Sequence, residues 1–148
     1  MKITSLEFDD CDYIPEEYTC DGENMNPPLE IHDVPAGAKS LALIMDDPDA
    51  PSGEFVHWLL WNIPPAEKEI DPGKSLPLNG VCGVTSAGKP GYTGPCPPAG
   101  EEHRYFFKLY ALDSELDLFC NAKKADLEKA MDGHIIEKAE LVGLYRRK

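Results

Sequence analysis

Two histidines, a tyrosine and a run of aspartates are the residues of this chain whose types and spacing could hold or orient a charged group. His57 lies in an apolar run, Phe55 to Ile63 (FVHWLLWNI), that follows the acidic turn Asp46-Asp47-Pro48-Asp49-Ala50-Pro51. Prolines fix φ and bias the residue before them toward extended backbone, so this turn is stiff. A stiff turn leading into the His57 strand can hold a carboxylate near the imidazole. His103 and Tyr105 stand two apart at the head of a second apolar run, Arg104 to Leu112. On a strand they leave the same face, roughly 7 Å apart, with Arg104 on the other. A neutral imidazole donates one hydrogen bond and an imidazolium two, and a phenol donates one. Such a set suits a small oxyanion.

Between the two runs lies Gly94-Pro95-Cys96-Pro97-Pro98. Three prolines remove three backbone donors and make this segment a wall rather than a hinge. Gly94 permits close approach of a ligand, and the N–H groups of Gly94 and Cys96 stay available. Each of these residues also has a plain structural role open to it. His57 fits a hydrogen-bonded core histidine, and His103 a strand-entry residue near solvent. Tyr105 fits a half-buried core position, and the aspartates fit turn and capping chemistry. Cys96 beside two histidines could act as a nucleophile with a base, but a thiol between prolines has little freedom and no oxyanion-hole motif accompanies it. Asp47, His57 and His103 could ligate a metal, yet the spacing motifs of structural zinc are missing. Neither a catalytic residue nor a metal ligand is therefore assigned.

The elements that must position these residues are mostly strands. Fourteen prolines and 12 glycines are spread along 148 residues and cut the chain into short pieces, as in β structure with many turns. Strands are expected at Ile3–Phe8, Leu29–Val34, Ser40–Met45, Phe55–Ile63 and Arg104–Leu112. In the fourth, alternation places Val56, Trp58 and Leu60 on one face and His57, Leu59, Trp61 and Ile63 on the other. Pro64 to Gly91 is the longest irregular region. Asn121 can cap a helix from about Ala122 to Asp132, stopped by Gly133, and a last strand is expected from about Ala139. The expected fold is a mainly β, antiparallel sandwich of one domain, residues 1–148, with one or two short C-terminal helices.

Composition narrows the function. The net charge of −13 opposes binding to nucleic-acid backbones and to anionic membranes. No apolar run approaches the ~20 residues of a membrane-spanning helix, and the N-terminal residues turn acidic at once, so cytoplasmic residence is expected. Five cysteines without a CxxC pair read as reduced thiols, a disulfide or two being the alternative for a hyperthermophile source.

The order of the motifs resembles the phosphatidylethanolamine-binding protein family, and most closely its bacterial and archaeal branch, often called Raf kinase inhibitor-like proteins. The resemblance is carried by Asp47-Pro48-Asp49-Ala50-Pro51, His57-Trp58, Gly94-Pro95-Cys96-Pro97-Pro98 and His103-Arg104-Tyr105-Phe106-Phe107. Ile14 to Gly22, Asn26-Pro27-Pro28-Leu29, Gly133-His134 and Ala139 to Tyr145 extend it nearly end to end. It implies an antiparallel β-sandwich with a small pocket for phosphate-like anions, formed here by Asp47, His57, Gly94, Pro95, His103 and Tyr105, with Asp49 and Cys96 in support. The implied partner is a phosphate-like or phosphoethanolamine-like small anion: phosphate toward the histidines, amine toward Asp47. A monomer or homodimer without a cofactor is implied, and inhibition of a partner kinase or protease is the alternative role. Val84-Thr85-Ser86-Ala87 stands where that branch usually carries an Asn-Asp-aromatic segment, so contacts from the 80–91 loop are not carried over.

Overall fold

The apolar run Ser40 to Met45 becomes the middle of the molecule. In the computed structural model, which describes residues 1–73 and 80–148, it belongs to an eleven-residue strand covered on both faces. The described elements are β1 (Lys2–Thr4), β2 (Asp12–Tyr13), a 3₁₀ turn (Glu16–Tyr18), β3 (Leu29–His32), β4 (Ser40–Ala50), β5 (Gly53–Ile63), β6 (Glu69–Ile70), β7 (Val81–Cys82), β8 (Glu102–Leu112), α1 (Lys124–Met131) and β9 (Ile135–Arg146). They form a six-stranded sheet in the order β2-β9-β8-β4-β5-β7 and a three-stranded sheet, β1-β3-β6. The pairings are antiparallel except for β2 on β9, a two-residue parallel pair. The expected β-sandwich is thus the architecture found.

Two cores flank the large sheet. Leu41, Leu43, Met45, Trp58, Leu60, Phe107 and Leu109 pack toward the small sheet's Ile3, Leu29, Ile31 and Ile70. Ala42, Ile44, Val56, Leu59, Trp61 and Leu112 pack on the opposite side with Leu127 and Met131 of α1. This is why β4 and β5 read as continuous apolar runs rather than alternating ones. Each fully buried leucine contributes about 1.5–3 kcal/mol.

Several boundaries differ from expectation. β1 stops at Thr4 and β3 at His32, where Asp33 turns the chain at φ 55°. β9 starts at Ile135, four residues before the expected start, because β8 offers it a matching ladder from Leu112 to Glu102. The helix begins at Lys124, capped at Lys123 and not at Asn121. Ala122 is held instead in a turn, its N–H on the Phe119 carbonyl and its own carbonyl accepting Val84 N–H. Pro64 to Gly91 holds only the two-residue strands β6 and β7 among its described residues, and positions 74–79 fall outside them.

α1 is fastened electrostatically as well. Asp46, 1% exposed, accepts hydrogen bonds from Lys108 Nζ of β8 and Lys124 Nζ of α1, each at 3.0 Å. Burial opposes the charge on Lys124, but its hydrogen bonds to Glu54 and Asp46 prevail and its pKa is raised. Lys124→Met keeps the apolar stem and removes one of the two cations on Asp46. It is expected to lower stability by about 1–3 kcal/mol, measured as a lower denaturant midpoint with an unchanged slope. An unchanged midpoint would show that Lys108 alone compensates Asp46.

Candidate functional site

Adjacent positions of β4 point to opposite faces, so Asp47 lies on the side away from Asp46 and α1. There it meets β8. His103 Nδ1 donates to Asp47 Oδ2 at 2.7 Å, and both residues are almost fully buried. The other carboxylate oxygen, Asp47 Oδ1, accepts the Asp49 N–H at 2.8 Å. Asp47 therefore serves the turn and the imidazole at once. The carboxylate expected beside His57 is hydrogen-bonded to His103 instead.

The turn is held to β8 by a residue that the sequence placed on the far face. Arg104 donates to Asp49 from its backbone N–H at 3.0 Å, from Nε at 2.9 Å and from Nη2 at 2.9 Å. Arg104's hydrogen bonds lower the pKa of Asp49, which stays a carboxylate.

His57 reaches the site through an irregularity in β5. Met45 pairs with Trp58 and Asp46 with Val56, so His57 has no partner across the ladder. This bulge and a second register shift near Asn62 break the expected alternation: Trp58, Leu60 and Ile63 share one core, and Val56, Leu59 and Trp61 the other. His57 is not on the face of Leu59 and Trp61. Bulges re-aim side chains in this way, and the His57 ring meets Tyr105 edge-on at 5.2 Å and Phe55 at 4.7 Å. Its Nδ1 donates to the Thr93 carbonyl at 2.6 Å, which leaves Nε2 as the acceptor of a neutral ring. Burial lowers its pKa, only partly offset by the Thr93 bond and by Asp47 and Asp46, so the ring is neutral at pH 7. Tyr105 is fully buried; burial, then Asp47 and Asp49, push its pKa up, so the phenol keeps its proton as a donor.

These side chains line one cavity of about 230 Å³, together with Phe55, Thr93, Gly94, Cys96, Pro97 and Pro98. Asp47, His57, His103 and Tyr105 are brought together as their spacing suggested. Pro95 is not at the cavity: it is buried behind the wall, and its carbonyl accepts Cys20 N–H at 3.1 Å. Nor is the Gly94 N–H available to a ligand, because it donates to Asn24 Oδ1 at 2.9 Å. A Cβ on Gly94 would lie 2.2 Å from that oxygen and 2.7 Å from the Tyr18 carbonyl. Glycine is needed there for the approach of the Tyr18–Asn24 loop, not of a ligand.

The same loop overturns the expectation of reduced thiols throughout. Cys20 and Cys96 form a disulfide across 76 positions, so Cys96 carries no thiolate in this form and is wall, not nucleophile. Cys11, Cys82 and Cys120 are free. The disulfide, the Cys20 and Gly94 amide bonds and the Tyr92 hydroxyl on the Tyr18 carbonyl (2.7 Å) tie the proline segment to the N-terminal loop. Asn24 and Cys20 carried no sequence signal for this role, because polar loop residues and lone cysteines look alike until the chain is folded. Among the described residues no group of three or more His, Cys, Asp or Glu side chains could hold a metal ion. No helix among them is long and apolar enough to cross a membrane.

Comparison with known proteins agrees with the geometry. The profile of the phosphatidylethanolamine-binding protein family matches residues 4–146. The UPF0098 protein of Methanothermobacter thermautotrophicus is 52% identical over 99% of both chains. Its counterpart in Pyrococcus abyssi is 49% identical over the whole of this chain and 86% of its own. A crystal structure of a phosphatidylethanolamine-binding protein homologue from Chlamydia trachomatis matches with a TM-score of 0.94 and 41% identity, covering 99% of this chain and 97% of that one. Escherichia coli YbcL, described as a member of the mammalian family, matches with a TM-score of 0.93 and 30% identity, covering 99% and 98%.

The disulfide gives a direct test. Thiol titration of the unfolded, unreduced protein is expected to count three free thiols, and five after reduction. The double variant Cys20→Ser, Cys96→Ser is expected to lose about 2–5 kcal/mol of stability. Five thiols without reductant would contradict the bridge, and an unshifted midpoint would leave the wall to its hydrogen bonds alone.

Proposed function

Because the chain belongs to the phosphatidylethanolamine-binding protein family, we propose that the cavity between β4, β5, β8 and the proline segment binds a small phosphate-like anion. A phosphoethanolamine-type head group is the larger ligand of the same chemistry. One observation carries the reading. The deeply buried side chains of His57, His103 and Tyr105 line one cavity, with His57 oriented by the bond from Nδ1 to the Thr93 carbonyl. Donors or potential donors converging on a cavity of head-group size favour an oxyanion between them. His103, held by Asp47 through Nδ1, turns its remaining nitrogen to a ligand, as a donor only when the ring is an imidazolium.

The chemistry is binding without bond making. The Tyr105 O–H donates to an anion oxygen at any pH near neutrality. His57 donates only when Nε2 takes up a proton, which burial resists in the free protein. An anion in the cavity reverses that balance, since an opposite charge favours the imidazolium. Anion binding is thereby coupled to proton uptake. With His57 depressed below its ordinary 6.5, the anion affinity is lowest above that value and rises as the pH falls through and below it. Arg104 is spent on Asp49 and contributes through the turn, not through contact.

Sulfate is a useful probe because it keeps its double charge across the range. Calorimetric titration from pH 8 to 5.5 is expected to show tighter sulfate binding and net proton uptake as the pH falls. His57→Gln is expected to weaken binding by about tenfold, equivalent to about 1.4 kcal/mol, and to flatten the pH dependence. Equal affinity at both ends of the range would exclude the histidine mechanism.

A further inference from the structure

His103 is clasped by carboxylates at both ring nitrogens. Nδ1 donates to the buried Asp47 at 2.7 Å, and Nε2 lies 3.5 Å from Oε2 of Glu101. The two carboxylates differ in kind. Asp47 is 4% exposed at its side chain and also holds the Asp49 amide, so it cannot leave without cost. The Glu101 side chain is 54% exposed, and no hydrogen bond or further ion pair holds its carboxylate among the described residues. Its backbone, by contrast, is fixed. Glu101 N–H donates to the Pro98 carbonyl at 3.0 Å, and its carbonyl accepts Arg147 N–H at 3.4 Å. Gly100, at φ +82°, turns the chain just before it. A fixed backbone with a loosely held carboxylate places a negative charge in front of the one nitrogen of His103 that an incoming anion would use.

We propose that Glu101 is an internal competitor for the anion-binding edge of His103, and so the residue that decides which phosphate-like ligands enter. This rests on the anion-site reading above. A bare dianion must displace the carboxylate and then bear its repulsion at close range. A phosphate ester with an ammonium group nearby meets the same carboxylate as a partner for its cation. Glu101 therefore selects zwitterionic phosphate esters over inorganic anions of equal size. The chain's overall charge of −13 acts in the same direction but evenly over the surface, whereas Glu101 acts at one atom. Residue 102 provides the control: Glu102 carries the same charge one position along, but its carboxylate accepts the Tyr13 hydroxyl on the outside of the sheet.

The test compares wild type, Glu101→Gln and Glu102→Gln at one pH, with inorganic phosphate and with phosphoethanolamine, by calorimetry. Removing a half-exposed charge from its ion contact is expected to tighten inorganic phosphate about 2–5-fold in Glu101→Gln. Phosphoethanolamine is expected to gain less or to weaken, and Glu102→Gln to match wild type. Phosphate binding that is equal in wild type and Glu101→Gln, or tightened as much by Glu102→Gln, overturns the competitor while leaving the anion site standing. No phosphate binding by any of the three proteins removes both.

Discussion

Two carboxylates at consecutive positions of a buried central strand constrain this structure more than any other feature. Asp46 and Asp47 are 1% and 3% exposed, and an isolated buried carboxylate is too costly to persist uncompensated. Being adjacent on a strand, they need partners on opposite faces of the sheet. The helix side supplies Lys108 and Lys124, and the sandwich side supplies His103. β8 contributes a partner to each, which ties its register on β4 to the charges as well as to the apolar layers. Fixing α1 to the sheet and fixing the imidazole in the cavity are thus two consequences of the same pair.

The rest of the site is built to hold its donors still. Arg104 closes the Asp49 turn onto the start of β8 with two side-chain hydrogen bonds and one from its backbone. The disulfide and the Gly94–Asn24 bond close the proline segment onto the N-terminal loop. Thr93 fixes the tautomer of His57. None of these groups needs to touch a ligand to matter. Each removes a motion that an ion-binding pocket would otherwise have to freeze on binding. For the proposed anion site, such preorganisation would offset the chain's negative charge, because the local donors are already set in place.

The long strands were legible in the sequence, and so was the pairing of His103 with Tyr105 on one face. β4 and β5 are apolar over stretches that only a sheet covered on both sides can bury, β8 alternates, and period-two spacing needs no partner to be read. What could not be read depended on the partner. The bulge at His57 exists because of how β5 registers on β4 at Met45 and Asp46, so strict alternation put Leu59 and Trp61 on the wrong side relative to it. Pro95 and Gly94 were recognised as a wall, but which side faced the cavity was decided by a loop some 70 residues earlier. The Cys20–Cys96 bridge was invisible for the same reason, since spacing carries no information across 76 positions. Glu101 sits in a polar turn like many others, and only folding sets its carboxylate before His103.

A crystal structure of the protein soaked in sulfate tests the central claim most directly. The anion is predicted within hydrogen-bond reach of His57 Nε2 and of the Tyr105 hydroxyl, with the Asp47–His103 bond intact behind it. Sulfate bound only elsewhere on the surface, with this cavity lacking anion density at saturating concentration, would contradict it.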